Sequence, residues 1–224
     1  MKEKIRENYL CVIITALLFI LMVVFHILLF TSPKEAIGPG GLEVGMPEIN
    51  EKVFDWLGAS KTFDLFSDGL LVIAILVCAF FFFLGVYRLI RYKKLDKSIL
   101  LMGIFYIILG IIYFIFEKIV INYAPILKYG EPKPSYPSSH VLLSTFVFLS
   151  AIVIIDENLE KKIYKNVLIY LSVALVVLMF ITRLLSGNHW LSDTIGGLLI
   201  GSFLASLYSL INTLFFKKDI KNEN

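Results

Sequence analysis

The sequence predicts an all-α, polytopic membrane protein with six transmembrane helices and both termini in the cytoplasm. Three observations predict it. The 224 residues are 58% apolar and only 17% charged, with a mean hydropathy of +0.82, whereas a soluble domain is about half apolar and a quarter charged. Six apolar runs have roughly the length needed to cross a hydrocarbon core at ~1.5 Å per helical residue. Lys and Arg also divide unevenly: 14 fall on the side that holds the termini and 7 on the other. The excess of positive charge marks the cytoplasmic face.

The first crossing is expected over Tyr9–Phe30, after a start carrying Lys2, Lys4 and Arg6. It is too long for a signal-peptide core and lacks a small-x-small cleavage pattern, so it reads as a retained helix. His26 near its far end reads as a residue tucked into the bundle or the interface. Residues 31–69 form the longest polar stretch, glycine- and proline-rich around Ile37–Gly41, then mixing Phe54, Trp56, Leu57, Phe63, Leu65 and Phe66 with charges. Aromatics among charges predict an extracytoplasmic segment lying on the membrane surface. Crossings two and three are expected over Leu70–Ile90 and Ile99–Phe116, separated by Arg88, Arg91, Lys93, Lys94 and Lys97. A loop from Glu117 to Ser139 carries Pro125, Pro132, Pro134 and Pro137. Crossings four, five and six follow over His140–Ile155, Val167–Leu185 and Thr194–Phe216. In the sixth, Gly196, Gly197 and Gly201 form a small-residue seam suited to close helix packing in lipid. The whole chain, 1–224, reads as one domain, with its active-site region over 128–193.

The same totals exclude other classes. A net charge of +3, with most positive residues flanking oily runs, does not describe a nucleic-acid binder. Cys11 and Cys78 lie inside apolar runs and read as small buried residues, and no Cys/His spacing for a metal is present.

Two polar islands interrupt the oily last third of the chain. One is Pro137-Ser138-Ser139-His140; the other is Arg183, five residues, His189, three residues, Asp193. The predicted topology puts both on the outer face. Ionisable groups at membrane depth are costly unless they are used. On a helix, His189 and Asp193 share a face. A carboxylate there fixes the imidazole tautomer and leaves the other nitrogen free to attack phosphorus. Asp193 also suits the N-cap of the sixth helix. The Arg183 guanidinium is a planar fork matched to phosphate oxygens. The prolyl and seryl start of the fourth helix offers backbone N–H groups and a positive dipole end as a phosphate cradle, with His140 at its edge as a proton donor. Lys128 and Lys133 in the preceding loop add positive charge.

This pattern resembles the type-2 phosphatidic acid phosphatase family, which includes bacterial prenyl-diphosphate phosphatases and soluble vanadium haloperoxidases. Two of the family's three blocks are matched, across residues 137–193. In this sequence Ser139 stands where the family usually has glycine, and Thr182 where it usually has serine. Its first block, a lysine followed after six residues by Arg-Pro, is represented only by Lys133-Pro134, with Ile126 at the lysine position and Lys128 two residues later. The resemblance implies a phosphatase-type helix bundle with His189 as nucleophile, Asp193 as its orienter and His140 as acid and then base. Arg183, Ser138 and Ser139 would hold the phosphate, with no metal or organic cofactor. It implies hydrolysis of a lipid phosphate at the outer face of a cell membrane, with undecaprenyl pyrophosphate first and phosphatidic acid or phosphatidylglycerol phosphate next. Its partners would be that substrate and membrane lipids, with no nucleic acid. The abundance of Lys, Ile, Phe and Asn fits an AT-rich bacterial coding sequence. The rival expectation is a protein that binds or moves lipid phosphates without cleaving them.

Overall fold

Six apolar segments without enough polar backbone partners in lipid must each satisfy their own hydrogen bonds, and helices do so. The computed structural model describes residues 2–127 and 130–216. In chain order these form α1 (Lys2–Thr31), β1 (Lys34–Ile37), β2 (Leu42–Gly45), α2 (Pro47–Leu57), α3 (Lys61–Tyr92), α4 (Lys97–Lys118), α5 (Ser139–Asn158), α6 (Lys162–Leu185) and α7 (Leu191–Phe215). All but α2 are long and apolar enough to cross a membrane, so the six expected crossings are present. The tail lysines and Lys128 lie outside the described residues.

The bundle is built around α5 and α7. Over half of the α5 span is buried, 56%, against 11% for α1 and for α3. The outer helices therefore turn large apolar side chains to lipid, as Leu17, Phe82 and Phe83 do. The core stacks Phe105 of α4 on Phe146 of α5, with Tyr208 of α7 edge-on to both. At the end carrying the termini of α3 and α4, Arg88 bonds Asp96 and Asn158, tying α3, α4 and α5 together. Cys11 and Cys78 are unbridged.

Close contact of α5 with α7 comes from the predicted seam. A Cβ on Gly197 would lie 2.7 Å from the Ser138 carbonyl oxygen and 3.1 Å from Leu142 N, and one on Gly201 2.8 Å from the Leu142 carbonyl. These neighbours are backbone and cannot swing away. Gly197→Ala is expected to destabilise the protein by about 2 kcal/mol, the usual cost of overpacking. A fall in the thermal midpoint of the detergent-solubilised protein checks this, with Gly110→Ala, where a Cβ meets open space, as the neutral comparison.

The segment 31–69 differs from the expected surface loop. The Gly-rich part is the turn of the β1–β2 hairpin, with Lys34 opposite Gly45 and Ile37 opposite Leu42. This hairpin and α2 close over the start of α7: Trp190, 1% exposed, packs with Ile37, Val44 and Phe54. Gly38 is required beneath that ring, since a Cβ would come within 2.6 Å of it and φ is +69°. The second crossing begins at Lys61, nine residues earlier than expected. Its first turns leave Leu65 and Phe66 exposed, while Asp64 and Ser67 turn inward to Arg183.

A buried polar network fixes this end. The Asn50 amide donates to the Gly45 carbonyl (2.8 Å) and Ser192 Oγ (2.9 Å), and Ser192 N donates to Asn50 Oδ1 (3.0 Å). The Asn122 amide donates to Ser192 Oγ (3.0 Å) and Asp193 Oδ1 (2.8 Å), while Gly45 N donates to Asn122 Oδ1 (2.9 Å). Buried polar groups are retained when they are satisfied in this way. Hairpin, α2, the 119–138 loop and α7 are thereby locked in one register.

Candidate active site

Both polar islands meet at one end of the bundle, where the end of α6 turns into the start of α7 beside the start of α5. The α6–α7 turn needs Gly187, whose φ is +69° and whose missing Cβ would lie 2.4 Å from Ala59 Cβ. The Ser138 N–H donates to the Asp193 carbonyl at 3.0 Å, so the two islands are joined backbone to backbone. The loop between α4 and α5 is itself braced, with Ala124 N donating to the Lys133 carbonyl and Ser135 N to the Asn122 carbonyl. The Tyr136–Pro137 peptide is cis. Tyr136 donates its hydroxyl to His26 Nε2 (2.8 Å), whose Nδ1–H donates to the Met22 carbonyl (2.7 Å). His26 thus anchors the loop to α1, and burial pushes the Tyr136 phenol well above its ordinary range.

A cavity of about 170 Å³ lies between these elements. His189, His140, Arg183, Ser139 and Lys133 line it, together with Asp68, Tyr113, Glu117, Ser135 and Asn188. Asp193 and Ser138 are fully buried behind this lining.

The hydrogen bonds assign the His189 tautomer. Nδ1 faces the Ser135 carbonyl at 2.9 Å, which only accepts, so Nδ1 carries the proton. Nε2 faces Arg183 Nη2 at 3.2 Å, which only donates, so Nε2 presents its lone pair. Burial holds the imidazole below its ordinary pKa; the Asp193 carboxylate opposes this and the Arg183 charge reinforces it. The ring is therefore neutral at pH 7, with a free nitrogen beside a guanidinium.

Asp193 is placed differently from the expectation. His189 precedes α7, whose N-cap is Trp190, so the helical i,i+4 relation does not hold between them. Asp193 is N3 rather than the N-cap. Its Oδ2 accepts from Trp190 N at 3.0 Å and its Oδ1 from Asn122. It stands 3.7 Å from His189 Nδ1, too far for a hydrogen bond. The Ser135 carbonyl makes that bond instead, and Asp193 acts on the ring by charge. Ser138 is the N-cap of α5 by position, but its hydroxyl makes no capping bond.

Arg183, 5% exposed, closes α6. Its Nη1 donates to Asp64 Oδ1 (2.8 Å) and Ser67 Oγ (3.0 Å). Asn188 Nδ2 also donates to Asp64. His140 lies at the second position of α5 and donates Nε2–H to Asp68 Oδ1 at 3.0 Å. Ser135 Oγ, Ser138 Oγ, His140 Nδ1 and Arg183 Nε are buried without a hydrogen-bond partner among the described residues. Leaving such groups unpaired is costly, and three of them, on Ser135, His140 and Arg183, belong to residues lining one cavity, which marks a place for a polar ligand. Among the described residues, no three His, Cys, Asp or Glu side chains stand close enough to hold a metal ion.

Sequence reasoning missed Asp64, Ser67 and Asp68, which come from α3. Their i, i+3, i+4 spacing puts them on one helical face, and that signal was present. It also missed Asn122, Ser135 and Asn188, for which no periodic signal existed.

The PAP2 superfamily profile matches residues 117–216. No curated protein sequence matches the chain. Among solved structures, the crystal structure of a transmembrane PAP2-type phosphatidylglycerolphosphate phosphatase from Bacillus subtilis shares the fold, with a TM-score of 0.63 over 94% of this chain and 96% of that one, at 15% identity. Residues 117–216, the part that is similar to the PAP2 superfamily, hold α5 to α7 and both polar islands.

Proposed function

We propose that the protein hydrolyses the phosphate or diphosphate of a membrane lipid, through a phosphohistidine, at the outer face of a bacterial cell membrane. The observation that carries this reading is the meeting of the unprotonated His189 Nε2 with Arg183 at 3.2 Å on the wall of a polar cavity that His140 also lines. The match of residues 117–216 to the PAP2 superfamily and the phosphatase named for the structural relative support the same chemistry.

In this reading the substrate phosphate displaces Nε2 from Arg183 and takes the guanidinium's free edge, with Lys133 and the N-terminus of α5 opposing its charge. Nε2 attacks phosphorus as His140 gives a proton to the leaving oxygen. Neutral His140 then takes a proton from water, whose oxygen displaces the phosphoryl group from His189. Asp193 and the Ser135 carbonyl stabilise the ring as positive charge develops on it. The charge bias of the loops supports the outer face.

A lipid tail has somewhere to lie. The polar cavity shares Tyr113 and Ser139 with an apolar cavity of about 320 Å³ against α4, which shares Tyr106 with a third of about 500 Å³ between α3 and α4. From Ile99 to Glu117 the cavities follow about 27 Å of α4 at ~1.5 Å per residue, nearly the depth of a hydrocarbon core. Gly110 and Gly103 face open space along it.

The test is phosphate release in EDTA from undecaprenyl pyrophosphate, phosphatidic acid and phosphatidylglycerol phosphate. Release from at least one is expected. Because the His189 pKa is held below the ordinary 6.5 and the neutral ring is the nucleophile, activity persists as pH falls through 6.5. The acid limb of kcat/KM is therefore expected below pH 6.5. Lipid binding without release from any of the three would favour the non-hydrolytic alternative.

A further inference from the structure

The polar stripe at the head of α3 lies outside the span that matches the superfamily profile, and its last member has no part in the scheme above. We propose that Asp68 is a positioning residue that orients His140 and favours its protonated form when the leaving oxygen is to be met by a proton. This rests on the hydrolytic reading of the site.

The geometry is specific. Asp68 Oδ1 lies 3.0 Å from His140 Nε2 and 4.0 Å from Arg183 Nη1. The second distance is not a hydrogen bond, and Nη1 already donates to Asp64 and Ser67. The carboxylate therefore serves the imidazole rather than the guanidinium. Its side chain is 57% exposed against 17% for His140. Asp68 is thus the wet end of the pair, within reach of bulk protons, and His140 is the dry end against the reacting centre.

His140 needs such a partner. The groups facing it from the surrounding elements are Asp64 and Asp68 on α3, Glu117 on α4, Lys133 in the loop, Arg183 on α6 and His189. Asp64 is engaged with Arg183 and Asn188, and Glu117 accepts from the Tyr113 hydroxyl at 2.7 Å. Arg183 repels a second positive charge nearby. Of these carboxylates, Asp68 is the one bonded to the ring, and an opposite charge at this distance favours the protonated form.

The proton balance follows. The imidazolium N–H gives its proton to the departing alkoxide as the P–O bond breaks, while the His189–phosphorus bond forms. Neutral His140 next removes a proton from water as the P–N bond breaks and regains its charged form. Asp68 remains a carboxylate throughout.

The test compares Asp68→Asn with the unaltered full-length protein on two phosphates sharing one apolar tail, one with an alkyl and one with an aryl leaving group. An aryl oxide leaves without a proton, so only the alkyl substrate depends on the acid. The alkyl-to-aryl ratio of kcat/KM is expected to fall at least about tenfold, a fraction of what general acids contribute. The basic limb of the alkyl profile should move to lower pH by about one unit. Asp68→Glu should restore much of both. Equal losses on the two substrates with an unmoved pH profile would overturn the proposal, as would a lower KM and tighter inhibition by inorganic phosphate, which would make Asp68 an occupant of the phosphate seat. Asp68→Ala, assayed for vanadate binding, shows whether the site remains folded. If His189→Ala keeps full activity, the hydrolytic reading itself fails; if only the Asp68 readouts fail, that reading stands and this inference falls.

Discussion

His189→Ala is expected to reduce phosphate release by about 10⁴-fold or more, the scale seen when a covalent nucleophile is deleted. The substitution removes the one nitrogen that the hydrogen bonds leave unprotonated and set beside the guanidinium. No nearby group can substitute: His140 is committed through Nε2 to Asp68, and Lys133 belongs to the loop. Rapid acid-free quenching should recover labelled phosphate on the wild-type chain and none on the variant. A second variant sharpens the assignment. His140→Ala on an aryl phosphate should still form the phosphoenzyme, since that leaving group needs no proton, but should hydrolyse it slowly for want of a base. Accumulated phosphohistidine in that variant, and its absence in His189→Ala, separates attack from water activation. Full turnover by His189→Ala would refute the covalent route.

The sequence made the bundle and the core of the site legible for a clear reason. Membrane helices announce themselves by length and apolarity, and His140, Arg183, His189 and Asp193 stand out because charge is rare in the runs around them. What the sequence concealed was the α3 contribution. Phe63, Leu65 and Phe66 alternate with Lys61, Asp64 and Asp68, which reads as an amphipathic segment lying on a surface. In the fold the segment is the head of a crossing helix with its polarity inverted: Leu65 and Phe66 are exposed where lipid lies, and Asp64 and Ser67 turn in to meet Arg183. The i, i+3, i+4 spacing of Asp64, Ser67 and Asp68 marks a shared face, but whether that face turns to water or into the bundle depends on what it packs against. The N-cap position expected for Asp193 was missed for a related reason. Four-residue spacing implies a shared helix face only if both residues are helical, and the helix begins at Leu191, two residues after His189. Asn50 and Asn122 were illegible because a buried asparagine that joins a hairpin to a helix start looks, in sequence, like any loop asparagine.

Arg183→Ala is expected to fail twice over, in activity and in stability, and the two losses can be separated. Losing the guanidinium should lower kcat/KM by about 10³-fold, the upper range for removing one group that stabilises transition-state charge. Arg183→Lys restores a charge but not the fork that reaches Asp64, Ser67 and His189 together, so it should recover only a small part of that loss. The stability loss arises from Asp64. Its carboxylate, 27% exposed, would lose its buried guanidinium partner while keeping the Asn188 amide. Stranding a largely buried charge costs about 3–5 kcal/mol when burial is complete, and partial access to water reduces this to roughly 2 kcal/mol. Adding Asp64→Asn to Arg183→Ala removes the stranded charge, so the double variant should regain most of the thermal midpoint while its activity stays as low as in the single variant. If the second substitution rescued activity as well, Arg183 would be a structural brace for α3 and α6, and the phosphate would have to be held by other groups. If it rescued neither, the pair would not be the interaction that joins those helices at the site.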